Sequence, residues 1–144
     1  MLNAIAEGAF RDSLINKIII PSSVEIIGNR AFLNGGSNSI SFAKYPRLKV
    51  IGERAFYNHH FNSQTTFEVP ESVEEIGGEA FDSTAALTTL RIPQSVTDIG
   101  DTVCNRATVT LEVENGSYAA LYATENGYRT SVYGNVEDTS WLNN

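Results

Sequence analysis

The chain has 144 residues, of which 42% are apolar and 19% charged, with a net charge of −7; this is one domain with enough apolar side chains for a core. The negative charge disfavours nucleic acid and anionic lipid, both of which are held by Lys and Arg. No run approaches 18 consecutive apolar residues, so no helical membrane span is expected, and a lone cysteine cannot form an internal disulfide.

In chain order the sequence says one phrase five times. It is worn at Ile5-Ala6-Glu7-Gly8-Ala9-Phe10, then clear at Ile27-Gly28-Asn29-Arg30-Ala31-Phe32, Ile51-Gly52-Glu53-Arg54-Ala55-Phe56 and Ile76-Gly77-Gly78-Glu79-Ala80-Phe81. It closes, altered, at Ile99-Gly100-Asp101-Thr102-Val103-Cys104. The leading Ile recurs at steps of 22, 24, 25 and 23 residues. A period in this range predicts a solenoid, in which each coil buries its apolar edge only against its neighbours. The fold class expected is mainly β, a stack of about five short-strand coils with a parallel sheet.

A second phrase precedes the first in each coil: Ile18-Ile19-Ile20-Pro21, Ile40-Ser41-Phe42-Ala43, Phe67-Glu68-Val69-Pro70, Leu90-Arg91-Ile92-Pro93 and Leu111-Glu112-Val113-Glu114. Short alternating runs of this kind read as strands. Pro ends them because it has no N–H for a ladder. Val24, Leu48, Val73 and Val96 then lead into the repeat Ile. The Gly after that Ile is expected in a tight turn that only Gly adopts easily. Ala suits a crowded bend, and Phe fills the middle of the coil.

Alternation also says what faces out. One outward row is Ile19, Ser41, Glu68, Arg91 and Glu112; its neighbour is Lys17, Ser39, Thr66, Thr89 and Thr110. With parallel strands about 4.8 Å apart, five rungs span roughly 19 Å. That is room for a peptide, a loop or a short glycan. Glu68, Arg91 and Glu112 on successive rungs alternate in charge, which favours this register.

After the last strand, Ser117 is an N-cap for a short helix carried by Ala119, Ala120, Leu121 and Ala123, with Gly127 to stop it. Terminal repeats need such a cap over the last core face. The repeats are read over about 2–113, the cap over about 114–133, together one domain of 1–133. A polar tail follows over 134–144, with Trp141 its one strong apolar residue.

The repeats resemble the BspA-like leucine-rich repeats, a bacterial surface-protein class. Leu87-Thr88-Thr89-Leu90-Arg91-Ile92-Pro93-Gln94-Ser95-Val96-Thr97-Asp98-Ile99-Gly100 is similar to nearly the whole family pattern, and Ile20-Pro21-Ser22-Ser23-Val24 and Val69-Pro70-Glu71-Ser72-Val73 to its middle. Gly116–Tyr128 resembles the segment that often closes such arrays. The resemblance implies adhesion, with host or matrix proteins as partners, at the cell surface or after secretion. The sequence opens inside a repeat, with Leu2 and Ile5 in register and no secretory signal. The expectation is a piece of a longer chain. The family's Cys after Phe is absent; Ser13, Gly35, His59 and Thr84 hold its place. The second coil gains residues at Lys44-Tyr45-Pro46, and the third swells over Tyr57–Thr65.

Chemistry-bearing residues are few. His59-His60 lack a carboxylate or Cys at metal-ligand spacing and read as part of an exposed loop. Cys104 replaces a core Phe and reads as a buried, inert thiol. Glu53, Glu74 and Glu75 read as solvated turn positions, Gly35-Gly36 as a turn, and Asn115-Gly116-Ser117 as a sequon that the turn into the cap helix explains. No phosphate loop or nucleophile elbow occurs, and neither catalysis, cofactor nor metal is expected. The expectation is a non-catalytic module binding a protein or glycan. The candidate contact residues are Ser41, Thr66, Glu68, Thr89, Arg91, Thr110 and Glu112 on the strands, with Tyr57, His59 and His60 in the swollen loop. The alternatives are a structural spacer and an accessory domain of a larger surface protein or enzyme.

Overall fold

The computed structural model describes residues 3–134. The chain winds into a parallel-stranded solenoid with three ladders. The first is built by the repeated Ile: β1 (Ala4–Ile5), β3 (Ile26–Ile27), β6 (Val50–Ile51), β9 (Glu75–Ile76) and β11 (Asp98–Ile99) pair in that order. Ile5, Ile27, Ile51 and Ile76 share one register, and Ile99 continues it. The second ladder carries the strands of the second phrase, three of which run into Pro21, Pro70 and Pro93: β2 (Lys17–Ile20), β5 (Ser39–Phe42), β8 (Thr66–Glu68), β10 (Thr89–Ile92) and β12 (Thr110–Val113). The third is short, pairing β4 (Gly36–Ser37) with β7 (His60–Phe61) and flanked by bridges Leu14–Gly36 and His60–Ala85. Gly36, expected in a turn, therefore opens a strand.

Apolar letters of the two phrases meet between these ladders. Phe10, Phe32, Phe56 and Phe81 form a column of stacked rings with successive centroids 5.3, 5.1 and 5.2 Å apart. Offset stacking at this spacing adds to the burial of each ring. Ala31, Ala55 and Ala80 are buried beside them. Cys104 takes the next place after Phe81, bridged to it in parallel and buried. Burial pushes its thiol up to about 12, which leaves it protonated and unreactive.

The glycine expectation needs correction. Gly28, Gly52, Gly77 and Gly100 do not have positive φ; among the described glycines only Gly8, Gly116, Gly127 and Gly134 do. The repeat Gly is required by close approach instead. A Cβ on Gly77 would stand 2.4 Å from the Glu53 nitrogen, and one on Gly100 2.3 Å from the Gly78 nitrogen. The left-handed corners fall later in the coil, three and seven residues past the Ile. Arg30, Arg54, Glu79 and Thr102 hold the first corner; Asp12, Asn34, Asn58 and Ser83 hold the second, all with φ between 52° and 61°. These corners turn their N–H groups toward the next coil, as in Arg30 N–H to Glu53 O at 2.9 Å and Asn34 N–H to Tyr57 O at 3.0 Å.

The array has about six turns rather than the five expected. The strand ladder gains a rung from β13 (Thr130–Val132), which pairs with β12 through Leu111–Thr130, Glu112–Ser131 and Val113–Val132. Before it comes helix α1 (Tyr118–Glu125), capped by Ser117, whose hydroxyl accepts from Ala120 N–H at 3.1 Å. The helix seals the last coil with tyrosine. The Tyr122 hydroxyl donates to Gly100 O at 2.8 Å and accepts from Val103 N–H at 3.3 Å. In earlier coils the corresponding groups bond directly, as Ala55 N–H to Gly52 O does. Tyr128 donates to Cys104 O at 2.9 Å. Backbone groups of the last coil that do not bond one another thus find tyrosine partners, as buried polar groups must. The expectations for Leu2 and for the tail beyond Gly134, Trp141 included, lie outside the described residues.

Candidate binding face

The outward side chains of the strand ladder fall in the rows that alternation dictates. Thr66, Thr89 and Thr110 are in register, as are Glu68, Arg91 and Glu112; Lys17 pairs with Ser39 and Ile19 with Ser41. Arg91 is the centre of the charged row. Its Nε donates to Glu112 Oε1 at 2.8 Å, and its Nη2 contacts the same oxygen. Its Nη1 lies 3.4 Å from Glu68 Oε1, and its guanidinium sits 4.4 Å from the Tyr133 ring centroid. The side chains are 64% exposed for Glu68, 34% for Arg91 and 18% for Glu112. Glu112 is thus the committed partner, and Glu68 the one free to turn outward.

The face is not one continuous sheet. The ladder breaks: β2 and β5 form one sheet, and β8, β10, β12 and β13 another. Two length changes meet at this seam. The second coil's extra residues, Lys44-Tyr45-Pro46, leave β5, while the third coil's extra residues enter β8. Between the walls lies a cleft of about 560 Å³ lined by Ser41, Phe42, Gln64, Glu68, Glu71 and Tyr133 among others. Gln64 spans it. Its Oε1 accepts from Ile40 N–H at 2.8 Å, and its Nε2 donates to Thr66 O at 3.1 Å. Tyr133 closes one side. Burial pushes its phenol up to about 12, with Glu114 adding to the effect and Arg91 opposing it.

The swollen loop is folded back on the coil, and one expectation about it fails. His59 is buried at 1% exposure, not part of an exposed loop. It sits in the slot the family gives to Cys, edge-on to Phe32 and Phe56. Its Nδ1–H donates to Phe32 O at 3.1 Å, and its Nε2 accepts from the Ser37 hydroxyl at 2.9 Å. Burial lowers its pKa from the ordinary 6.5. It is a neutral structural ring and offers nothing to a partner. Phe61 is buried beside it. His60 is exposed and Tyr57 half-buried, with Arg54 over the Tyr57 ring at 5.6 Å. These two belong to another side of the coil and do not join the strand rows. Gln64, Tyr133 and β13 were absent from the expected site. None belongs to the repeated phrase, and only the excess length around Gln64 pointed toward the seam.

Among the described residues no group of three or more His, Cys, Asp or Glu is placed to hold a metal, and no helix is long and apolar enough to cross a membrane.

The pattern of the BspA type leucine rich repeat region matches residues 2–115, in six copies. The chain belongs to the BspA-type leucine-rich repeat family. No curated protein matches it. A crystal structure of the pneumococcal vaccine antigen PcpA is similar in fold, with a TM-score of 0.57 at 24% identity over 80% of this chain. The chain spans 36% of that structure's length. The family's repeat thus accounts for the Ile ladder, the ring column and the strand rows, while the added length at the seam and the histidine at position 59 depart from the family pattern.

Proposed function

We propose that this chain is a non-catalytic interaction module of a bacterial cell-surface or secreted protein, binding a protein or glycan through its strand face. The observation that carries this reading is the outward polar surface of the strand ladder. Two rows of threonines and charges, Thr66–Thr89–Thr110 and Glu68–Arg91–Glu112, are held in register on a rigid sheet. Such a surface fixes the backbone positions of its contact groups before binding, which lowers the cost of ordering them. Residues 1–133 are taken as one domain, repeats followed by cap. The family and the fold likeness to a vaccine antigen support placement at the surface.

The competing reading is a spacer. It is favoured by the unbroken Ile ladder and the ring column, which make a stiff rod whether or not anything binds. Capture separates the two. Immobilised matrix proteins and a glycan array are probed with the native chain and with Glu68→Ala, whose side chain is largely exposed. A binding module captures at least one probe, and Glu68→Ala weakens that capture severalfold with an unchanged melting temperature. Capture by none, or capture indifferent to Glu68, favours the spacer.

A further inference from the structure

The seam is a break in a ladder whose two edges face each other. Alternation in a parallel strand turns every second residue's N–H and C=O to one side. In β5 those of Ser39 and Ser41 serve β2, while those of Ile40 and Phe42 turn to the cleft. In β8 those of Thr66 and Glu68 turn to it. An unpaired edge is a template for another strand. Here two templates stand across one gap.

Gln64 shows what the gap is shaped for. Its side-chain amide accepts from one wall and donates to the other. A peptide group in a middle strand does the same. The amide occupies one rung, at Ile40 and Thr66, and leaves the next, at Phe42 and Glu68. No ladder reaches that rung. Apolar contacts continue beyond it, with Phe42, Ala43, Pro46, Val69 and Pro70 lining the cleft. The charged lining is Glu68, Glu71 and Arg91, and Arg91 is already shared by Glu68 and Glu112. Glu71 is exposed. Lys44 and Arg47 do not line the cleft. The lining thus favours a cation.

We propose that the cleft between β5 and β8 takes one extended, lysine- or arginine-bearing segment of a partner polypeptide, its main chain pairing with Phe42 and Glu68 and its basic side chain meeting Glu71. The proposal rests on the strand-face reading and narrows it to a peptide occupant at one place. Main-chain pairing supplies affinity and the flanking groups supply selectivity, as in other strand-addition sites.

The test is a titration of the isotope-labelled 144-residue chain followed by its amide spectrum. Three capped probes are used: the peptide Thr-Val-Lys-Val-Thr, the same peptide N-methylated along its backbone, and the analogue with Glu for Lys. The lysine peptide should shift the amides of Phe42 and Glu68 and the side-chain amide of Gln64. The N-methylated probe should bind at least 10-fold more weakly, and the Glu analogue about 5-fold more weakly. Glu71→Lys, at an exposed position, should reverse the preference between the Lys and Glu peptides. No shift at millimolar peptide overturns the proposal, as do shifts confined to Thr89 and Thr110, or equal binding of the N-methylated probe. Those results leave the strand-face reading to its own capture experiment, which a glycan or a folded protein surface can still satisfy.

Discussion

The two long sides of this solenoid treat length differently. On the Ile side five strands pair without interruption, whereas on the strand side the ladder parts between β5 and β8. The spacing explains the contrast. Thirteen residues separate Ile27 from Ile40, but 16 separate Ile51 from Phe67. From Ile to Phe no residue is added in any coil, because the repeat Gly lies against the backbone of the coil before it and the rings must stack. The extra length is therefore expelled to the entry and exit of the strands. Repeated letters hold the array, and unrepeated length opens its face.

The largest expected effect strikes the regular side. Phe56 is fully buried and touches Phe32, Phe61, Phe67 and Phe81. Phe56→Ala should cost about 3–5 kcal/mol in chemical denaturation; a loss under about 1 kcal/mol would contradict the packed column. Gly77→Ala should follow, at roughly 1–3 kcal/mol, because the new methyl meets backbone rather than a yielding side chain.

On the other side of the comparison, Arg91→Ala should cost about 1 kcal/mol or less, since its partners are partly solvated. Thermal melts at low and high salt would show whether the row is held by charge.

A pH series isolates His59. Its folded pKa lies below the ordinary 6.5, so the unfolded chain takes up the proton first. Stability from the neutral ring is complete above that value and falls as the pH drops through it toward the folded pKa. The native chain should therefore lose more stability between pH 7 and pH 5 than His59→Gln does. Parallel pH profiles for the two would show that the ring is not held neutral by burial. The smallest effect expected is a gain. Thr102 is a β-branched residue at φ 52°, and Thr102→Gly should raise the denaturation midpoint by an amount worth under about 1 kcal/mol.

Most of the scaffold was legible because each coil repeats the test of the last. Thr66, Thr89 and Thr110 could be placed on one row from spacing alone, and the structure pairs them so. Ser117 could be named as a cap because helix starts have a local chemistry. What escaped has no second copy. His59 is polar and lies in a length insertion, and both marks read as exposure. The better signal was its place in the family's Cys slot, a position that faces inward. Gln64 could not be singled out because its role depends on a wall 24 residues away in sequence, at Ile40. β13 lacks the repeated phrase and owes its pairing to the free edge that β12 offers.

The corners of the coil bear on handedness. At Arg30, Arg54, Glu79 and Thr102 an all-L chain takes the backbone conformation natural to its mirror image. A D-amino acid would sit there without strain, so a chemically synthesised array with D-Arg or D-Glu at these corners should fold at least as well as the natural one. The demand falls on the backbone rather than on one side-chain chemistry, and in successive coils the corner carries a cation at Arg30 and Arg54, an anion at Glu79 and a hydroxyl at Thr102.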